Sequence, residues 1–247
     1  MVTESPFLTL AFLLIALVYA AVGQAGASGY IAAMALAGFA PLAMKATALA
    51  LNLLVASIGT ALFLRSGRVS RRNVWPFAIL GFPFSMLGGA VHLPEGLYFR
   101  VVGIVLLLSS LQMARGALSG PPAQPAPPVA PPFAAALATG AVIGFISGTT
   151  GTGGGVFLAP VILAMNWGTA RQTAATTAVY NLVNSGAALI GAQATWPQLP
   201  AALPVWLLAV AVGGTAGALL GSRYLSDRWL RGLLALLLLV SGLKLVW

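Results

Sequence analysis

The sequence predicts an all-α polytopic membrane protein made of two homologous repeats. Three observations predict it. The 247 residues are 60% hydrophobic and 6% charged, with 12 Lys+Arg, 3 Asp+Glu and one His. Soluble chains are about 45–50% apolar and about 25% charged, so this chain has too few charges to cover a water-facing surface. Apolar, low-charge segments recur from end to end, as bilayer-crossing helices require. A proline-rich break then divides the chain into halves that carry matching landmarks.

The net charge of +9 does not point to nucleic acid. The cations lie between apolar runs, where cytoplasmic loops collect Lys and Arg, and no basic stripe interleaves with aromatics. The absence of cysteine excludes disulfides, thiolate nucleophiles and cysteine-based metal sites. One His and three carboxylates are too few for a protein-built metal centre, so no metal and no cofactor are expected. The opening Met-Val-Thr-Glu-Ser-Pro has no Lys or Arg, so it lacks the positive start of a signal peptide. The apolar run after it is expected to be retained.

Taken in order, the apolar segments fall at 7–22, 29–39, 46–64, 74–91, 97–114, 133–147, 156–167, 173–192, 201–221 and 229–246. Counted conventionally they make about 8 hydrophobic helices, because the opening pairs are short. Seven of the twelve residues in Pro121–Pro132 are proline. Such a stretch cannot be helical or expose its carbonyls to lipid, so 119–132 reads as a surface linker. It separates a first repeat, 1–118, from a second, 133–247. Gly29, Lys45 and Thr47 match Gly155, Arg171 and Thr173 at an offset of 126, and Arg100 and Ser110 match Arg231 and Ser241 at 131. Duplication of this kind marks transporters that bind substrate between repeats.

Each half opens with two short apolar segments joined by glycine. Segment 7–22 would make about 24 Å of helix and 29–39 about 16 Å, neither of which comfortably crosses a core of about 30 Å. Between them lies Gly23-Gln24-Ala25-Gly26-Ala27-Ser28-Gly29, and the second half has Gly148-Thr149-Thr150-Gly151-Thr152-Gly153-Gly154-Gly155. Either each pair is one broken span, giving parallel repeats, or it is a re-entrant hairpin with an intramembrane glycine tip, giving inverted repeats. The first geometry divides the twelve cations evenly between the two sides. The second puts Arg65, Arg68, Arg71, Arg72, Arg115, Arg171, Arg223, Arg228 and Arg231 on one side, against Lys45, Arg100 and Lys244. That bias favours inverted repeats, with both termini outside and the linker in the cytoplasm.

The glycine tips are the first candidate site. A helix N-terminus presents unpaired N–H groups and a partial positive charge of about half an electron, and glycine lets a ligand approach the backbone. Two such tips meeting from opposite faces would hold an anion without a buried cation. Gln24, Gly26, Ser28 and Gly29 form one tip; Thr149, Thr150, Gly151, Thr152, Gly153 and Gly154 form the other. Asn52 in one long helix, and Thr177 and Asn181 one turn apart in its counterpart, could line the cavity. The alternative is that the glycines serve helix packing and these polar groups bond between or within helices. Lys45 and Arg171, just before the long helices, read as entrance or gate residues, or as cations reaching lipid headgroups.

Other chemistry is sparse. Glu4, Glu95 and Asp227 all fall outside the middle of apolar runs, so no intramembrane carboxylate offers itself for ion coupling. Gly26-Ala27-Ser28-Gly29 looks like the G-x-S-G of rhomboid intramembrane proteases, with His92 as base. The second tip has no serine at 151–155, and His92 stands beside Leu93-Pro94 near a helix end. A non-enzyme is expected, with no catalytic residue.

The run Gly144-Phe-Ile-Ser-Gly148-Thr-Thr-Gly-Thr-Gly-Gly-Gly155-Val-Phe-Leu-Ala-Pro160, followed by Arg171-Gln-Thr-Ala-Ala-Thr-Thr177 and Asn181, resembles the TauE/SafE family of sulfite and organosulfonate transporters. The first half echoes it through Gly23 to Gly29 and Lys45-Ala-Thr47, and the end through Gly217 to Gly221, Arg231 and Ser241 to Lys244. Ala50-Leu51 departs from the Thr-Thr pair of the second half, which makes the two halves of the site unequal. The resemblance implies a secondary carrier for small sulfur anions: sulfite, sulfonates such as sulfoacetate, or thiosulfate. Its partners would be that anion and the bilayer of a bacterial plasma membrane, with a homo-oligomer left open. Export is expected, since moving one negative charge out of a cell held at about 100 mV, inside negative, releases about 2.3 kcal/mol. An anion channel of the same architecture is the alternative.

Overall fold

The computed structural model describes residues 6–21, 23–65, 71–118, 127–221 and 227–246. Among them are ten α-helices. The first half holds α1 (Pro6–Ala21), α2 (Ala27–Leu36), α3 (Pro41–Arg65), α4 (Arg71–Ala90) and α5 (Glu95–Leu118). The second holds α6 (Phe133–Thr150), α7 (Gly155–Ala164), α8 (Ala170–Gly191), α9 (Leu203–Gly221) and α10 (Asp227–Val246), with a short 3₁₀ turn at Gln193–Gln198. Each of the ten apolar segments has its helix, displaced by a few residues at the ends. Linker residues 119–126 lie outside the described residues, and 127–132 is not helical.

Among the described residues, four helices, α3, α5, α6 and α9, are long and apolar enough to cross a membrane. The side-chain distribution is inside-out for water. Phe7, Trp75, Leu208 and Val212 are each more than 60% exposed, whereas Lys45, Asn52, Asn181 and Asn184 are buried. Large apolar groups outside and amides inside suit a lipid surround. Helix α8 carries Thr173, Thr176, Thr177, Asn181, Asn184 and Ser185, all buried. Its polar groups face neighbouring helices.

The halves exchange contacts reciprocally. α1 packs on α9 as α6 packs on α4; α3 packs on α9 as α8 packs on α4; α2 packs on α10 as α7 packs on α5. Counterparts also meet directly. Asn52 bonds Ser185 and Gly59 faces Ala178, so α3 and α8 run antiparallel. Ser110 bonds Ala235 and Gly103 faces Gly242, so α5 and α10 do too. The α4–α6 seam is parallel and glycine-built. Gly140, Gly144 and Gly148 sit on the carbonyls of Phe77, Gly81 and Ser85, so close that a Cβ at any of the three would overlap the carbonyl. Small residues spaced by four are the means by which membrane helices approach in the absence of a hydrophobic drive.

The short helices fold back on their partners. Val129 N–H donates to the Asn166 carbonyl at 2.9 Å, and Asn166 Nδ2 donates to the Pro127 carbonyl at 3.1 Å. The chain just before α6 therefore meets the chain just after α7. A single broken span would set those points at opposite ends. An apolar cluster along the hairpin joins Ala136 and Ile143 of α6 to Leu158 and Ile162 of α7 and to Trp167. In the first half, Phe12 of α1 stands edge-on to Tyr30 of α2, with ring centroids 5.6 Å apart. Buried Trp206 touches both Phe12 and Phe39, which brings the chain after α2 level with α1.

Candidate functional site

The α2 and α7 N-termini are built alike. Gly26 and Gly154 are their N-caps, both in the left-handed region at φ 100° and 84°. Gly23, Gly151 and Gly153 are left-handed as well. A side chain is strained in this region, which is the local reason for the glycine runs. No side chain of either tip caps its own helix. The caps come instead from the long helices: Asn52 Oδ1 accepts the Ala27 N–H at 3.0 Å, and Asn181 Oδ1 accepts the Gly155 N–H at 2.7 Å.

These contacts set a register between the two halves. Ala27 matches Gly155 at 128 and Asn52 matches Asn181 at 129. The 126 offset anchored on Gly29, Lys45 and Thr47 therefore pairs the wrong residues. Gly23 lies against Ala174 and Gly151 against Lys45, a reciprocal contact in the same register. Each tip rests on the long helix of the opposite half. Asn52 Nδ2 also donates to Ser185 Oγ at 2.7 Å, and Gly153 lies against Asn52, Asn181 and Ser185. The structure thus brings Asn52, Asn181, Gly153, Gly154 and the α2 N-terminus into one buried cluster. In α7 the Phe157 N–H is taken by the Gly154 carbonyl at 3.1 Å; the other first-turn N–H groups lie outside the i to i−4 ladder and give the cluster donor character on both sides.

Other expected residues stand elsewhere. Gly29 faces α1, where a Cβ would come within 2.6 Å of Ile15 and 2.8 Å of Tyr19; its role there is close packing. Ser28 is buried and shares a hydrogen bond of 2.9 Å with the Tyr19 hydroxyl. Gln24 is half-buried beside the tip, its N–H on the Tyr19 carbonyl. Thr149 and Thr150 donate back to Phe145 and Ile146 carbonyls of their own helix, and Thr150 also pairs with Thr152 at 3.0 Å. Thr177 likewise donates to Thr173 and Ala174. These hydroxyls satisfy local carbonyls, the within-helix alternative of the sequence reading.

Lys45 does not precede its helix or reach headgroups. It lies in the first turns of α3, 2% exposed, and Nζ donates to Gly88, Gly89 and Val91 carbonyls at 3.1, 2.7 and 3.0 Å. All three ammonium protons cap the C-terminus of α4, where the helix dipole is negative. The side chain of Arg171 lies outside the described residues, as do Arg68, Arg223 and the side chains of Arg71, Arg72, Arg228 and Arg231. The structure does not join Ser28 to His92. Ser28 is buried on Tyr19 while His92 is exposed between α4 and α5. The sequence reading missed Ser185 and Tyr180. Ser185 was within reach, being one turn beyond Asn181 on the same face.

The model of the family described as "Sulfite exporter TauE/SafE" matches residues 8–245. The "Probable membrane transporter protein y4hK" of Sinorhizobium fredii (strain NBRC 101917 / NGR234) is 68% identical over 245 residues, covering 99% of each chain. No solved structure matches. With a family match over nearly its whole length and this relative, the chain belongs to the TauE/SafE sulfite exporter family of membrane transporters.

Proposed function

We propose that the protein exports small sulfur oxyanions, namely sulfite, sulfonates such as sulfoacetate, or thiosulfate, across the bacterial plasma membrane by alternating access. The observation that carries the reading is the paired capping of two buried helix N-termini, Ala27 by Asn52 and Gly155 by Asn181, around the interhalf Asn52–Ser185 bond. Backbone and amide donors suit an oxyanion whose several oxygens each accept a short hydrogen bond. The antiparallel runs of α3 against α8 and α5 against α10 support inverted repeats, and such repeats rock about a shared midplane site. The hairpin closure at Val129 and Asn166 supports a linker on the same side as the arginine-bearing loops, hence cytoplasmic. Membrane potential alone would drive the export of a monovalent anion about fifty-fold uphill per 100 mV.

The test is flux from liposomes loaded with sulfite or a short sulfonate, with and without an imposed potential. Saturable, potential-dependent efflux that external anion accelerates by exchange is the expected result. Unitary currents would replace the carrier with a channel. No flux of any sulfur anion from folded protein would remove the substrate class.

A further inference from the structure

Asn184 of α8 is 0% exposed, and neither atom of its side-chain amide completes a hydrogen bond. The Tyr180 hydroxyl gives its proton to the Gly140 carbonyl at 2.8 Å, so toward Asn184 it can only accept, and that side-chain contact falls short of a full hydrogen bond. Ser85 Oγ bonds the Asn184 backbone carbonyl and so does not serve the amide. An unpaired buried amide is costly, and proteins rarely keep one without a use.

The first half has the same position in a purely packed form. The register that pairs Asn52 with Asn181 pairs Val55 with Asn184. Val55 is buried against Gly214 of α9, where a Cβ would lie 3.2 Å from its Cγ1. Asn184 lies similarly against Gly81 of α4, where a Cβ would lie 3.1 Å from its Oδ1. A valine thus fills this niche in one half, and packing alone gives no reason for an amide in the other. The Asn184 side chain lies against α4, and its neighbours along α8 reach the second tip. Asn184 is one turn from Tyr180, whose ring backs Gly154, and three residues from Asn181, which holds the α7 N-terminus.

We propose that Asn184 is a substrate-contacting residue found only in the second half, its Nδ2 donating to an oxygen of the transported oxyanion. The inference rests on the anion-carrier reading above. It makes the two halves of the site chemically unequal: polar at Asn184 and apolar at Val55.

Asn184→Val and Asn184→Thr have nearly the same shape and differ by one hydroxyl. Sulfite efflux kinetics and thermal unfolding, with and without sulfite, would be measured in purified wild type and both variants. The valine variant is expected to be as stable as wild type or more so, to raise the KM about tenfold or more, and to lose the sulfite-dependent rise in melting temperature. Threonine should recover part of both. A valine variant with unchanged KM, or valine and threonine variants with equal losses of stability and flux, would overturn the inference while leaving the carrier reading in place. A wild type without sulfur-anion flux would overturn the carrier reading, and the inference with it.

Discussion

Asn52 and Ser185, 133 positions apart, are joined by a 2.7 Å hydrogen bond across the two halves of the molecule. The other end of the same amide holds the first N–H of α2. One side chain therefore ties a helix N-terminus in its own half to the long helix of the other. Asn181 does the first of these jobs for α7. Any motion of one half against the other must break or carry the Asn52–Ser185 bond.

Asn52→Ala removes both ends of this tie. It leaves the Ala27 N–H and the Ser185 hydroxyl buried without their partner, a cost of about 1–3 kcal/mol for each unpaired group. Lower thermal stability in detergent together with loss of efflux is expected. Wild-type stability would mean that the bond is not held in the membrane.

Lys45→Met tests the α4 cap. Three carbonyls, at Gly88, Gly89 and Val91, lose a charged donor, and hydrogen bonds to charged groups contribute about 1.5–3 kcal/mol each. A melting temperature lower by several degrees is expected. Lys45→Arg should not rescue it, because a planar guanidinium does not reproduce a compact three-proton donor. If Lys45 instead reaches headgroups, both variants will melt like wild type.

Much of the fold was legible because ten apolar runs punctuated by glycine and proline leave little choice of helix. The chain reversal was legible only through the uneven distribution of cations, because composition is the same for a broken span and for a hairpin. The contact that distinguishes them, Val129 on Asn166, joins residues with no sequence signal. The site was legible in kind and not in register. Gly29 and Lys45 stood out as landmarks, yet one packs on α1 and the other caps α4, so aligning on them shifted the repeats by two or three residues. Asn52 and Asn181 were the sound anchors. Their equivalence shows only through the N–H groups that they hold.

The hairpin predicts sidedness. Val129 and Met165 are 64% and 57% exposed, and single cysteines there should react with an impermeant thiol reagent from the same side. The chain has no native cysteine to interfere. Cysteines at Ser66 and Ser226, both outside the described residues, should label from that side too if the repeats are inverted. Opposite sides for Val129 and Met165 would restore the broken span.

The glycines predict a contrast within one residue type. Gly144→Val drives a side chain into the Gly81 carbonyl at the α4–α6 seam. The interface cannot yield without parting the helices, so failure to assemble, read as lost monodisperse protein, is expected. Gly96→Ala meets nothing within 4 Å, and should be neutral or stabilising by about 0.5–1 kcal/mol where the helix is regular.

Thr177 and Asn181 share one face of α8 and are the sharpest test of which polar groups matter. The Thr177 hydroxyl is already spent on the Thr173 and Ala174 carbonyls of its own helix. Valine keeps its shape, and those carbonyls retain their helix hydrogen bonds, so Thr177→Val should keep efflux within about threefold of wild type and change stability by less than about 1 kcal/mol. Asn181→Ala frees the Gly155 N–H and unpins the α7 N-terminus, which is the donor end aimed at the other half. Its efflux should fall by about tenfold or more, read in the same liposomes. Equal losses in the two variants would move the site from the amide-held tips to the threonine face of α8.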